Sequence, residues 1–249
     1  MSCIFSNDNS VEIKLIDHPF SQLFELRIYH EAIFRMIHTY LINNNIIDKT
    51  KNIIDLGAWI GDNSIPWAKN IEGIVYAIDP CKENCDFINA MKHYNSIENL
   101  TIIKAVISDS ERIISIDTND LHHCSFTNND SLQNKLQAFS LDTLYQNNII
   151  NNIGYIHLDV EGMEHLVIVG ANKLINTERP IISFEQHLNT DDYQSICKYF
   201  NTINYSVYLI NEQLLGCLED CRNFLAFPNT INIEDIEQFI NMPQIFTQM

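Results

Sequence analysis

The 249-residue sequence predicts an α/β fold of the doubly wound kind, with a mostly parallel sheet covered on both faces by helices. Two observations carry this. Short, mostly apolar runs such as Asn52-Ile-Ile-Asp-Leu56 and Ile153 to Leu158 end at glycine or acidic residues, the pattern of buried parallel strands. Between them lie segments with helical spacing of apolar residues, and 46% hydrophobic composition is enough for one sizeable core.

From Phe20 to Ile42, Leu23, Leu26, Ile33, Phe34, Ile37 and Leu41 recur at helical spacing, so a leading amphipathic helix, broken once, is expected, ending at Asn43 to Asn45. Strand 52–56 then feeds a turn at Gly57 and a helix over 63–70. A second strand over 73–78 leads through Pro80 into a helix reaching Tyr94, which completes a βαβ unit. Leu100 to Ile107 reads as a third strand. Beyond it the alternation of Ile113 to Asp117 and the polar, turn-like stretch His122 to Asn129 predict an inserted β excursion. Asp142 stands where the N-cap of a short helix through Asn147 is expected. Strand 153–158, a helix over 163–175, strand 181–184, a helix over 191–201 and closing strands near 205–210 and 223–227 follow, the last two as an antiparallel hairpin with a Cys-bearing loop. Residues 1–50 are expected to be an N-terminal helical extension and 51–249 a single globular unit.

Charge narrows the partners. Fifteen Lys and Arg against 32 Asp and Glu give a net charge of −17, a field that repels phosphate backbones and anionic membrane surfaces. No nucleic-acid or membrane partner is expected. No apolar run approaches the roughly 18 residues needed to span a bilayer, and the N-terminus lacks a secretory pattern. Seven scattered cysteines, an odd number, fit reduced thiols, so a cytoplasmic protein is expected. Cys81 and Cys85, like Cys217 and Cys221, are four apart, wider than usual zinc-ligand pairs, and read as packing residues.

In an open α/β sheet ligands bind outside the carboxyl ends of the strands. Three of these junctions are acidic. Asp55-Leu-Gly57-Ala58-Trp59-Ile-Gly61 offers a tight turn and close approach to a nucleoside-bearing cofactor, and Asp79, about 20 residues on, stands where a carboxylate accepts ribose hydroxyls. A nicotinamide cofactor competes, but its third glycine would fall near Asn63 or Ser64. The acidic residue two places before the first glycine favours the charged methionine part of S-adenosylmethionine. The third junction, Asp159-Val-Glu161-Gly-Met163-Glu164, places Asp159 and Glu161 on one side if the extended backbone continues. A fourth, Glu185-Gln-His187, again sets two ionisable groups two apart. Methylating an alcohol calls for a base or a metal; an unperturbed imidazole titrates near 6.5 and can be neutral at working pH, which makes a histidine, His187, the first choice as base. The carboxylates of Asp159, Glu161 and Glu185 offer a second possibility, oxygen ligands for a hard divalent cation.

Taken in order, IIDLGAWIGDNS, VYAIDP, AVISDSE, SLDTL, YIHLDVEGMEHLVIVGA, RPIISFEQH, YSVYLI and NFLAFP resemble the FkbM-type methyltransferase family, over about Asn52 to Pro228. The resemblance implies a seven-stranded class I methyltransferase-like sheet and S-adenosylmethionine-dependent O-methylation of a sugar or other small-molecule hydroxyl. It implies that Asp55, Gly57, Ala58, Trp59, Gly61 and Asn63 form the methionine and adenosine loop. Asp79 and Pro80 would meet the ribose, and Ala105, Val106 and the segment to Asp109 would form the adenine wall. Asp159 and Glu161 would border the acceptor, a small molecule or glycan. Trp59 stands where the family usually has Asn, and Met163 where it usually has His, so a non-catalytic nucleoside-binding module is the alternative from another class. A nicotinamide-dependent oxidoreductase is a third reading.

Overall fold

The computed structural model describes residues 2–5, 11–27, 30–117, 125–127, 135–188, 192–210, 212, 214, 219–231 and 246–248. His122-His123-Cys124 and Cys217 lie outside them. The chain opens with an antiparallel hairpin, β1 (Ser2–Phe5) and β2 (Val11–Lys14), which the sequence reading did not anticipate, although Val11 and Ile13 are buried and Glu12 and Lys14 exposed in strand alternation. The leading helical segment is broken, as its spacing predicts: α1 (Pro19–Arg27) and α2 (Ala32–Asn43) flank Glu31, whose left-handed φ of 53° cannot continue a helix.

The parallel strands are β3 (Asn52–Leu56), β4 (Val75–Asp79), β5 (Leu100–Lys104), β10 (Ile153–Leu158) and β11 (Ile181–His187). With β12 (Tyr205–Ile210) and the antiparallel β13 (Cys221–Pro228) they form a seven-stranded sheet in the order β12-β13-β11-β10-β3-β4-β5. A short β14 (Phe246–Gln248) adds an antiparallel edge beside β12. Every residue of β3 and β4 is buried, which explains why they read as continuous apolar runs. The predicted strand 100–107 divides at Ala105: β6 (Val106–Ile107) leaves the main sheet and pairs with β9 (Lys135–Phe139), and β7 (Arg112–Asp117) and β8 (Ser125–Thr127) complete a four-stranded excursion.

Helices α3 (Ser64–Asn70) and α4 (Lys82–Tyr94), with α1 and α2, cover one face of the sheet, where Phe24, Phe34, Ile37, Leu41, Ile65, Phe87 and Ile88 pack on Ile53, Val75, Ala77 and Tyr155. On the other face, α5 (Leu141–Gln146), α6 (Glu164–Val169), α7 (Asn172–Glu178) and α8 (Asp192–Thr202) supply Leu144, Val167, Leu174, Ile196 and Phe200 against Ile54, Ile156, Ile182 and Phe224.

Two local expectations need correction. The N-cap of α5 is Ser140, whose hydroxyl accepts the Thr143 amide at 3.0 Å; Asp142 sits in the first turn and instead accepts the amides of Lys173 and Leu174 at 2.9 and 2.8 Å, at the start of α7. The expected helix over 163–175 is two helices joined at Gly170, which packs so closely on Ser108 that a Cβ there would lie 2.2 Å from the Ser108 carbonyl oxygen. Among the described residues no helix is long and apolar enough to cross a membrane.

Candidate active site at the strand tips

Strand parity sets the site. Side chains two apart share a face, and the register aligns Ala77, Asp55, His157 and Ser183 across β4, β3, β10 and β11. One step further along, at the carboxyl ends, come Asp79, Gly57, Asp159 and Glu185, the last opposite Asn223 of β13. The acidic tips therefore converge on the face covered by α1 to α4. Chain order reverses between β3 and β10, which makes their junction the switch point where a ligand crevice is expected.

On the β3–β4 side, Gly57 and Gly61 adopt φ of 75° and 76°. The Gly57 amide donates to the Ile78 carbonyl at 3.0 Å, and the Asp159 amide donates to the Leu56 carbonyl at 3.0 Å, so the first loop is tied to both neighbouring strands. A Cβ on Gly57 would lie 1.7 Å from the Asp159 carbonyl oxygen. Asp79 organises this half. Its Oδ2 accepts the Trp59 amide at 2.9 Å, and its Oδ1 accepts the Cys81 amide at 2.8 Å and Asn84 Nδ2 at 3.1 Å. Burial pushes the Asp79 carboxyl up to about 6, against the pull of those three hydrogen bonds. Asp55 lies beneath the loop: it is 1% exposed and accepts the Ser64 hydroxyl at the start of α3. Burial raises it to about 7 despite that bond. Its part is to hold the loop and helix together. Ala105, Val106, Ile107 and Ser108 are buried beyond β5, and Asp109 is engaged by Ser108 and Arg112.

Over the tips sits a cluster from the α1–α2 break. Asp62 accepts Arg27 Nε at 2.8 Å and Arg35 Nη2 at 2.7 Å; burial alone would raise it, but the two guanidiniums hold it down at about 2. Glu31 meets the same arginines at 3.3 and 3.7 Å. The Arg27 guanidinium lies 5.6 Å from the centre of the half-buried Trp59 ring, and Trp59 itself has φ of 44°, a conformation that costs a bulky residue more than the Asn usual there in the family. Below this cluster runs a buried polar chain: Arg35 Nη1 donates to Asn63 Oδ1 at 2.6 Å, Asn63 approaches His157 at 3.5 Å, and His157 and Tyr155 both meet the Ser183 hydroxyl at 2.7 Å. Burial depresses His157 to about 4, so it is neutral and structural.

On the β10–β11 side, burial, followed by the carboxylates of Glu185, Glu31, Glu161 and Glu164, pushes Asp159 well above the usual carboxylate range. The expected alternation through Glu161 does not hold. β10 ends at Leu158, and Glu161 has φ of 53° in an exposed turn. Glu164 closes that turn from within, accepting the Val160 amide at 2.9 Å and Gln186 Nε2 at 2.6 Å. Met163 is buried. His187, at the end of β11, meets Asp220 Oδ1 through Nδ1 at 3.1 Å. Cys221 Sγ approaches Glu185 Oε1 at 2.6 Å. Among the described residues no three His, Cys, Asp or Glu side chains gather as a cation site, so Asp159, Glu161 and Glu185 do not form the ligand set that the sequence allowed. Sequence reasoning missed Glu31, Asp220 and Asn223, whose contacts here join residues far apart in the chain. A shallow groove along α8, lined by Tyr193, Cys197 and Asn201 among others, lies on the other face of the sheet.

This arrangement fits a sulfonium nucleoside. Asp79 Oδ2 accepts only one protein hydrogen bond and keeps a lone pair for a ribose hydroxyl, beside a loop opened by two left-handed glycines. The fold is that of a class I methyltransferase. The FkbM methyltransferase domain matches residues 55–207, and the chain belongs to that family. Among solved structures it is similar to an FkbM methyltransferase from Methylobacillus flagellatus KT, with 16% identity and a TM-score of 0.54 over 71% of this chain and 44% of that one. The chain thus spans less than half the length of that relative. It is also similar to the O-methyltransferase from Bacillus cereus solved in complex with SAH (12% identity, TM-score 0.46, 76% of this chain and 78% of that one). A third likeness is to the precorrin-6y C5,15-methyltransferase from Geobacter metallireducens GS-15 (12% identity, TM-score 0.48, 76% and 85%). No curated protein sequence matches the chain.

Proposed function

We propose that the protein transfers a methyl group from S-adenosylmethionine to a hydroxyl of a sugar or other small molecule. The observation that carries this reading is the division of the strand tips into two halves. Asp79 and the Gly57–Gly61 loop stand on one side of the switch point, and a His187–Asp220 pair stands on the other. When bound, S-adenosylmethionine supplies a methyl group on a positively charged sulfur, a good electrophile that needs no activation by the protein.

What the protein must supply is alignment and a place for the proton. Asp79 and the loop fix the nucleoside. The hydrogen bond to Asp220 sets the His187 tautomer with Nδ1 protonated, so Nε2 is the basic nitrogen that takes the proton from the acceptor hydroxyl as its oxygen bonds to the methyl carbon. With the donor bound, the electron pair of its carbon–sulfur bond would stay with sulfur as a neutral thioether, so no residue would need to assist the leaving group. Asp220 then faces an imidazolium, whose charge it stabilises.

The test is calorimetric titration with SAH followed by incubation with methyl-labelled donor and a panel of sugars and hydroxylated small molecules. Micromolar SAH binding and label transfer to a hydroxyl support the reading. NADH binding without SAH binding overturns it, and saturable donor binding without transfer to any acceptor points to a binding module.

A further inference from the structure

The acceptor half of the crevice has an imbalance of hydrogen-bonding groups. Asn223 is 0% exposed and stands opposite Glu185 in the β11–β13 ladder. Its Nδ2 reaches Glu31 Oε1 at 3.5 Å, while its Oδ1 has no hydrogen-bond partner. Turning the amide over brings no relief, because it would set the carbonyl against the Glu31 carboxylate. A buried carbonyl oxygen without a donor is costly, and a ligand that supplies the donor removes that cost.

The groups around it mostly accept as well. Glu31 is 6% exposed, Asp159 and Glu185 are half-buried, and the charges of Glu185 and Glu31 both bear on Asp159. The nearby guanidiniums of Arg27 and Arg35 pair with Asp62 and Glu31, and Arg27 reaches Asp159 only through its field. A hydroxyl entering here would bring one donor, together with lone pairs that face carboxylates. A primary ammonium brings three donors, a positive charge and no acceptor. The net charge of −17 draws such a group in from solution.

Resting on the methyl-transfer reading, we propose that the acceptor carries a primary ammonium near the hydroxyl to be methylated, as an amino sugar does. Asn223 Oδ1 and the Glu185 carboxylate receive its N–H groups, and the positive charge favours ionisation of Asp159 beside them. Asn223 is then a specificity-determining residue, while His187 at the outer end of β11 handles the hydroxyl.

The experiment compares glucosamine, glucose and N-acetylglucosamine as ligands of the SAH-saturated protein at pH 7, by saturation-transfer NMR with titration. Glucosamine should bind at least about tenfold more tightly than the other two. Equal affinity, a preference for either neutral sugar, or no detectable glucosamine binding overturns the inference. Asn223→Leu, close in volume and without the stranded carbonyl, should hold its melting temperature and SAH affinity yet lose the preference. A preference that survives this substitution refutes the role of Asn223. Should that variant not fold, Glu185→Gln serves instead: the preference should shrink several-fold, and an unchanged preference counts against the proposal. The SAH arm separates the two claims. SAH binding without amine selectivity sinks only the acceptor inference. Failure of SAH to bind sinks the methyltransferase reading, and the sugar comparison is then made on the protein alone.

Discussion

Gly57→Ala tests whether the first loop and the tip of β10 are in the contact described. The substitution does two things at once. It places a side chain on a residue with φ of 75°, which costs about 1–2 kcal/mol. It also sets a Cβ 1.7 Å from the Asp159 carbonyl oxygen, a backbone atom that moves only if β10 or the loop moves. Together these amount to about 3–5 kcal/mol, the range of the most damaging single substitutions. Gly162→Ala is the control: φ is 89°, but nothing lies within 4 Å of the added Cβ, so only the backbone cost of about 1–2 kcal/mol applies. For a chain of this length the two variants should lose on the order of 10 °C and a few degrees of melting temperature, respectively. Thermal and urea unfolding followed by circular dichroism give the comparison. SAH titration of the folded fraction should show weaker binding for Gly57→Ala alone. If the two glycine variants are equally stable, the loop does not rest on Asp159 and the shared crevice is wrong.

Asp55→Asn addresses linkage. A carboxyl whose folded pKa is raised to about 7 stabilises the fold fully below its unfolded pKa near 4, and that contribution is lost as pH rises to 7, amounting to on the order of 3–4 kcal/mol. Wild-type stability should therefore decline across that window. The Asn variant should decline less and be the more stable protein at pH 7.5 by urea unfolding; an identical pH profile would refute the burial argument. Asp79→Ala should weaken SAH binding by about 1.5–3 kcal/mol and also lower stability, because three hydrogen bonds to the loop and to α4 are lost; undiminished affinity in calorimetry would remove its ribose role. His187→Gln should reduce turnover about 100-fold or more with SAH affinity kept, and Asp220→Asn should follow in the same direction, both read by label transfer. Unchanged rates would exclude the pair from proton transfer.

Much of the scaffold was legible because its strands are largely buried and therefore mostly apolar: β3, β10 and β12 fall within the predicted bounds. Parity was legible too, since a two-residue period places Asp55, Asp79 and Asp159 on one face once the register is known. Local rules failed where distant packing intervenes. Gly170 stands at the break between α6 and α7, where Ser108, far away in sequence, leaves no room for a Cβ, and Glu161 leaves the strand period because the chain must turn into α6. The N-terminal hairpin was overlooked even though Val11-Glu-Ile-Lys14 alternates, because four residues give a weak periodic signal. Asp220 and Asn223 left no local trace, because each matters through a partner that only the folded chain brings near, and Glu31, though four residues from Arg27 and from Arg35, meets Asn223 only in the fold.

The reach of the family match has a consequence for transferring substrates between relatives. The segment 55–207 contains the donor loop, Asp79 and the tips of β10 and β11, but Glu31 precedes it and Asp220 and Asn223 follow it. Kinship over that segment therefore speaks for methyl transfer, while the residues to which the acceptor proposal assigns selectivity, Glu31 and Asn223, lie in flanking sequence that the match does not cover. Two proteins can share this family in full and still differ in what they modify.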